Sequence, residues 1–265
     1  MQTTRELAEH LSESYALGHY VAIEGNTVFM DLKHTLFRRF TAVAGYDFAR
    51  FPRRMKLLDS YSIDTVLDIG ANNGEFGQRM RDYLGYKGKV ISFEPLSSAF
   101  ELLEASAEGD PDWDVFNFAL GDAEGAFELN IAANSQSSSM LEMLPSHLES
   151  APESEYIGTE TIQVKTLDSI FEDLCATSRN IYMKLDTQGF EASVLRGAEA
   201  SLPHIDTIQL EMSLIPLYDG EMLYVEMCTW MSEMGYDLVG IETGFSDKDS
   251  GQLLQFDGIF HRFSD

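Results

Sequence analysis

Cysteine is nearly missing from this chain: two residues in 265, Cys175 and Cys228, far apart and in no CxxC pair. A disulfide framework or a cysteine-based zinc site is not expected, and a reducing cytoplasm is the simplest setting. Nor does any apolar run approach the roughly 20 residues that a membrane-spanning helix needs. The opening residues, Met1-Gln2-Thr3-Thr4-Arg5-Glu6, lack the basic-then-apolar plan of a signal peptide. A soluble protein with no membrane span is the expectation. Basic residues are scarce too: 18 Lys and Arg stand against 44 Asp and Glu, a formal net charge of −26. Such a surface repels phosphate backbones at long range, which argues against a nucleic-acid partner. The acid excess reads as a solvated surface. The basic residues cluster in one stretch, Arg38-Arg39 to Arg50, Arg53 and Arg54, read as either a local anion site or a helical face with internal ion pairs.

What is present is enough for a core, with 44% hydrophobic and 11% aromatic residues. Residues 1–60 read as a helical N-terminal cap. It would hold a helix from Thr4, a short hairpin of 19–24 and 27–30 around Gly25-Asn26, and a helix over 31–50. From residue 61 to 265 the texture becomes alternating β and α. Strands are expected at 65–70, 89–94, 113–119, 127–132, 181–186 and 207–212, with helices at 75–84, 97–107, 190–201 and 221–235. A closing antiparallel pair is expected at 236–242 and 254–262. Strands separated by helices predict parallel βαβ units and a doubly wound sheet. Residues 134–158 break that rhythm and read as either a substrate lid or a surface insertion. The methionines of the 221–235 helix (Met222, Met227, Met231, Met234) read as core before interface, and the oligomeric state stays open.

The sharpest local signal is Val66-Leu67-Asp68-Ile69-Gly70-Ala71-Asn72-Asn73-Gly74-Glu75-Phe76. An apolar strand ends in an acid and enters a glycine turn that opens a helix. Glycine lets the backbone approach a ligand, and the helix start offers free N–H groups. A dinucleotide site wants G-x-G-x-x-G. Here Asn72 replaces the middle glycine. The Asp68 carboxylate is awkward beside a pyrophosphate and suits the cationic amino-acid end of S-adenosylmethionine (SAM). Glu94, closing the next strand, can accept hydrogen bonds from both ribose hydroxyls. The third strand would bring Phe118 and Ala119 to the adenine, although Phe118 also reads as core.

Several segments follow in order: Asp68-Ile69-Gly70-Ala71-Asn72-x-Gly74, Ser92-Phe93-Glu94-Pro95, Ala119-Leu120-Gly121-Asp122 and Thr166-Leu167-Asp168. Then come Lys184-Leu185-Asp186-Thr187-Gln188-Gly189-Phe190-Glu191, Val194-Leu195-Arg196-Gly197-Ala198, Gln209-Leu210-Glu211 and Asp257-Gly258-Ile259-Phe260. This series resembles FkbM-type methyltransferases over residues 64–262. The resemblance implies a Rossmann-like class I methyltransferase fold, with a seven-stranded, mostly parallel sheet and an antiparallel C-terminal strand. It also implies SAM-dependent O-methylation of sugars, glycolipids or polyketides, hence a small-molecule or glycan acceptor.

A hydroxyl acceptor calls for a general base or a metal. Asp186 and Glu211 stand at strand ends that face the ligand crevice of such sheets. Asp186 is expected as base or metal ligand, with Glu211 supporting it or sharing a Mg²⁺. Lys184, two residues before Asp186 and on the same face, either tunes that carboxylate, pairs with Glu211, or forms a buried ion pair that fixes the sheet. SAM contacts are expected from Asp68, Gly70, Asn72, Gly74, Glu75, Phe76, Glu94, Pro95, Phe118 and Ala119. Ser138, Ser139, His147 and Tyr218 are expected on the acceptor side. His147 and His261 are the histidines to test as bases, and Tyr156 joins Tyr218 as an acceptor contact or core residue. Two rivals are a nicotinamide-dependent sugar oxidoreductase and a non-catalytic SAM-binding scaffold. A nucleic-acid N-methyltransferase would carry a Pro-Pro-aromatic step where Lys184-Leu185-Asp186-Thr187 stands.

Overall fold

The computed structural model describes residues 50–263. The expected helix from Thr4, the hairpin at 19–30, most of the 31–50 helix, and Arg38 and Arg39 lie outside the described residues. The described residues belong to one compact unit, which begins at Arg50. Helix α1 (Arg50–Ser60) therefore falls within that unit, where Leu58 is buried in the core.

Ten strands follow: β1 (Thr65–Ile69), β2 (Lys89–Phe93), β3 (Trp113–Phe116), β4 (Ala119–Leu120) and β5 (Gly125–Ala132), then β6 (Tyr156–Lys165), β7 (Ile181–Leu185), β8 (Thr207–Ser213), β9 (Asp237–Thr243) and β10 (Gln255–His261). Between them run helices α2 (Glu75–Asp82), α3 (Ser97–Ala107), α4 (Pro145–Ser150), α5 (Leu167–Cys175), α6 (Glu191–Arg196) and α7 (Tyr224–Glu233). Seven strands form one sheet in the order β3-β2-β1-β7-β8-β10-β9. Its pairs are parallel except those of β10, which runs against β8 and β9. This is the Rossmann-like class I methyltransferase sheet, with its single antiparallel C-terminal strand.

The central strands are apolar because both faces are covered. Alternation sorts their side chains. Leu67, Ile69, Ile91, Phe93, Met183 and Leu185 join the core beneath α5, α6 and α7. Val66, Val90 and Tyr182 join Leu58, Met80 and Leu103 on the opposite face, under α1, α2 and α3. Met227 and Met231 are buried in the first of these cores, with Met222 and Met234 packed against it, so the methionine-rich helix is a core element. The strand order reverses between β1 and β7. A crevice at the C-terminal ends of those two strands is where open α/β sheets bind ligands.

Two features differ from the expectations, and the segment read as a lid or a surface insertion takes a defined path. The third strand ends at Phe116, not 119, because Ala119 and Leu120 leave the main sheet to pair with Val164 and Lys165 of β6. β6, paired antiparallel to β5 in a second, three-stranded sheet, was not expected. Segment 134–158 is structured: Asn130 bridges Ser139, α4 and a 3₁₀ turn (Pro152–Ser154) follow, and β6 begins at Tyr156.

Candidate functional site

The turn after β1 is built by close backbone approach. Gly70 has φ +77°, and a Cβ there would lie 1.9 Å from the Asp186 carbonyl oxygen, so no side chain fits. Asn72 takes φ +48°, a left-handed conformation that Asn tolerates better than most residues. Its backbone N–H donates to Glu94 Oε2 at 2.7 Å, and the Leu96 N–H donates to Glu94 Oε1 at 2.8 Å. Burial raises the Glu94 carboxyl to about 7, against the pull of those two N–H donors. The carboxylate is thereby fixed at the strand end with lone pairs left over.

A cavity of about 510 Å³ opens above this turn, within the size range of small-molecule sites. Gly70, Asn72, Glu75, Phe76, Glu94, Pro95 and Ala119 all line it, as the sequence suggested, with Leu120, Phe93 and Phe190 adding apolar wall. Three expected cofactor contacts stand elsewhere. Gly74 turns the chain into α2 behind the lining. Phe118 packs on Phe93 and Phe116 beneath the wall, with the Lys165 ammonium 4.4 Å from its ring centre. Asp68 is fully buried on β1 and is not part of the lining. Its Oδ1 lies 3.3 Å from Lys184 Nζ, and its Oδ2 accepts from Ser92 Oγ at 3.4 Å.

Lys184 binds two acids, Asp68 and Asp186, each at 3.3 Å, and not Glu211. Burial alone would lower the lysine, but Asp186 and Asp68 outweigh it and raise it. Burial drives Asp68 upward, with Lys184 opposing. The Lys184 ammonium also lies 5.2 Å from the Phe76 ring centre, a cation–π contact.

Beyond Asp186 the site continues as a row of carboxylates that the sequence did not disclose. Asp257 on β10 pairs in register with Glu211 on β8 and with Glu242 on β9. Asp186 follows the last β7–β8 pair, Leu185 with Leu210, and so stands beside Glu211. Like charges opposite one another on neighbouring strands repel. Burial, then the nearby Asp186 and Asp257, push Glu211 well above the ordinary carboxylate range, and burial followed by Asp186 lifts Asp257 to about 6.

Amides separate these acids. Gln188 Nε2 donates to Asp186 Oδ1 at 2.9 Å and to Glu211 Oε2 at 2.7 Å, while the Tyr218 hydroxyl donates to Gln188 Oε1 at 2.7 Å and fixes the amide's direction. Ser139 Oγ holds the Gln188 carbonyl at 2.7 Å. These bonds keep Gln188 at φ +55°, where a non-glycine residue is disfavoured. Tyr218 and Ser139, expected to touch an acceptor, therefore lie behind the cavity wall and orient Gln188. The shared Mg²⁺ expected of Asp186 and Glu211 does not fit. The gap between them is bridged by an amide N–H₂, and no group of three His, Cys, Asp or Glu among the described residues could hold a metal.

Segment 134–154 closes one side of the cavity with Asn134, Gln136, Ser137, Ser138 and His147. Asn72 Nδ2 donates to Ser135 Oγ at 3.3 Å, and Lys248 reaches Glu153 at 2.6 Å, so the segment is clasped to the cofactor turn and to the loop after β9. His147 is buried between Tyr218 and Phe245, and burial lowers its pKa. Tyr156 donates to the Leu141 carbonyl, and His261 stacks on Tyr61 and bonds Thr207, both away from the lining.

Arg54 from α1 also lines the cavity and binds Glu242 at 2.6 Å, while Arg53 donates to the Val239 and Ile241 carbonyls. Arg53 and Arg54 thus both reach β9, Arg54 through an ion pair with Glu242. No helix among the described residues is long and apolar enough to cross a membrane.

Known proteins agree with this geometry at the level of family. No curated protein matches the chain. Among solved structures, it is similar to methyltransferase FkbM from Methylobacillus flagellatus KT (14% identity, 74% of this chain and 43% of that one, TM-score 0.46). It is also similar to fibrillarin from Aeropyrum pernix with natively bound S-adenosyl-L-methionine (10% identity, 74% and 66%, TM-score 0.43). An uncharacterized protein from Listeria monocytogenes serotype 4b is similar over 80% of this chain and 68% of that one (10% identity, TM-score 0.45). The chain thus spans less than half of the Methylobacillus protein. The model of the methyltransferase FkbM domain matches residues 68–238, from the acid of the glycine turn to the start of β9 and more than half of the chain, and the protein belongs to that family of SAM-dependent methyltransferases.

Proposed function

We propose that this enzyme is an O-methyltransferase acting on a hydroxyl of a sugar, glycan or related secondary metabolite. The observation that carries the reading is Asp186. Its side chain is 36% exposed, lines the cavity, and is held from behind by Lys184 and Gln188 where the acceptor side meets the cofactor turn. The backbone from Gly70 to Asn73 would cradle the amino-acid end of SAM. Glu94 would accept its ribose hydroxyls, and Pro95, Ala119, Leu120 and Phe190 would flank its adenine. When bound, SAM supplies an electrophilic methyl group on a sulfonium leaving group.

The chain's own work is to place a hydroxyl oxygen in line with that methyl and to take its proton. Asp186 accepts the proton as the oxygen attacks. Glu211, raised by burial and then by Asp186 and Asp257, stands beside it and accepts the Gln188 amide. Segment 134–154 excludes water. No step passes through a metal. The domain that carries transfer begins with α1, since Arg54 reaches the cavity. Free Cys175 and Cys228 fit a reducing, cytoplasmic setting.

The test is methyl transfer from labelled SAM to a panel of methyl hexosides, read by mass spectrometry, with and without EDTA. O-methylated product with unchanged rate in EDTA is expected. Tight S-adenosylhomocysteine binding with no transfer to any hydroxyl would instead support the scaffold reading.

A further inference from the structure

Gln188 holds a backbone conformation that a glutamine disfavours, φ +55°. Such outliers persist where the surroundings over-determine them, and they gather at functional sites. Here two connections do the holding. Ser139 Oγ, between β5 and β6, donates to the Gln188 carbonyl at 2.7 Å. The Tyr218 hydroxyl, between β8 and α7, donates to Gln188 Oε1 at 2.7 Å. Tyr218 is itself fully buried and anchored. Its backbone N–H donates to Glu221 Oε1 at 2.9 Å, and Met143 forms a β-bridge with it. It also packs tightly on the next residue of the turn, where a Cβ added to Gly189 would lie 3.0 Å from Tyr218 Cβ.

The other end of the Gln188 amide meets the acids. A carboxylate only accepts and an amide nitrogen only donates, so a hydroxyl donating to Oε1 turns Nε2 toward them. Nε2 then donates to Asp186 Oδ1 at 2.9 Å and to Glu211 Oε2 at 2.7 Å. The second Asp186 oxygen, Oδ2, lies 3.3 Å from Lys184 Nζ. Each oxygen of Asp186 thus has one partner, and the plane of the carboxylate is fixed against rotation. Gln188 belongs to the cavity lining, whereas Tyr218 and Ser139 do not. Any effect of Tyr218 on a reacting hydroxyl therefore passes through Gln188 and Asp186.

Resting on the reading of Asp186 as the base, we propose that Gln188 and Tyr218 are positioning residues for proton removal. Tyr218 sets the direction of the Gln188 amide, and the amide aims the Asp186 carboxylate at the acceptor hydroxyl. The two act on the rate of transfer and not on the binding of either substrate. A carboxylate free to turn faces that hydroxyl less often, and misplacement by about 1 Å can cost on the order of 100-fold in rate.

A double-mutant cycle tests this. The kcat and KM for the hydroxyl acceptor that the wild type methylates best are measured in Tyr218→Phe, Gln188→Met and Asp186→Asn, and in each of the first two combined with the third. Tyr218→Phe deletes one hydroxyl and keeps the buried ring. Gln188→Met keeps an unbranched chain and removes the amide. S-adenosylhomocysteine affinity and the unfolding temperature establish that each variant is folded. Tyr218→Phe and Gln188→Met are each expected to lower kcat about 10- to 100-fold, with KM and S-adenosylhomocysteine affinity within about threefold of wild type. In the Asp186→Asn background either change is expected to cost less than about threefold more, because the base that it aims is already gone. A merely structural role would cost the same in both backgrounds. A kcat within threefold of wild type in folded Tyr218→Phe, a loss carried by KM, or a full further loss in the Asp186→Asn background would overturn the positioning role while leaving Asp186 as the base. An Asp186→Asn enzyme as fast as wild type, or a wild type that methylates no hydroxyl, overturns both.

Discussion

Asp186→Asn is expected to lower kcat by roughly 10²- to 10⁴-fold, the usual contribution of a positioned general base, while S-adenosylhomocysteine affinity stays within about threefold of wild type, the loss falling on the reacting hydroxyl alone. Asparagine is nearly isosteric and keeps an oxygen for the Gln188 amide, which now donates to Asp186 Oδ1 at 2.9 Å. The frame around the site should therefore survive, and Lys184 retains Asp68 as a partner at 3.3 Å. What goes is the capacity to take the acceptor's proton. The check is single-turnover transfer to an accepted hexoside across a pH series. A kcat within threefold of wild type would mean that alignment with the sulfonium methyl suffices and that Asp186 is not the base.

The second large effect is on stability. Lys184→Met should lower the unfolding free energy by roughly 3–5 kcal/mol, because one partner of a buried ion pair is removed and the other stays. For a domain of this size that is a fall of roughly 6–20 °C in Tm. Asp68 is fully buried, and without the lysine its remaining side-chain partner is Ser92 Oγ at 3.4 Å. The sign of the pH dependence is fixed. Burial already raises Asp68, and loss of Lys184 removes the main force opposing that shift. With a folded-state pKa above the unfolded one, the native state binds the extra proton. Stability is then fully present below the unfolded value, and it is lost as pH rises through the folded one. The variant should accordingly lie closest to wild type at acidic pH and fall farther from it as pH rises. Adding Asp68→Asn should return at least half of the lost Tm. A loss of under about 3 °C at pH 8, or no rescue by the second change, would show that the pair contributes little.

Much of the cofactor half was legible in the sequence because its signals are local. An apolar strand, an acid, a glycine turn and a helix occupy residues 65–82, and the acid after the next strand is Glu94. Local pattern does not say which way a side chain faces, which is why Asp68 read as a ligand contact. One residue of strand alternation sends it inward to Lys184. Phe118 failed similarly: the strand stops at Phe116, and the ring turns into the aromatic cluster under the wall.

The carboxylate side of the cavity was barely legible. The residues of its carboxylate row are brought together by strand pairing in register, Glu211 with Asp257 and Asp257 with Glu242. Asp257 stands in a quoted motif, yet nothing near it in sequence says that it faces Glu211. Arg54 arrives from a helix that read as part of a separate cap. Gln188 was visible within the Lys184–Glu191 motif, and its left-handed backbone and paired amide bonds appear only in three dimensions. β6 was missed because its first half, through Thr159, Glu160 and Thr161, is polar and largely exposed, with burial beginning at Ile162.

The most direct test of the central claim is calorimetric titration of the purified protein with S-adenosylhomocysteine, beside a Glu94→Ala variant. The account predicts saturable binding of about micromolar affinity to the wild type, weakened at least tenfold in the variant. A folded wild-type protein that does not bind S-adenosylhomocysteine, or a Glu94→Ala protein that binds it equally well, would contradict the placement of the cofactor at this turn.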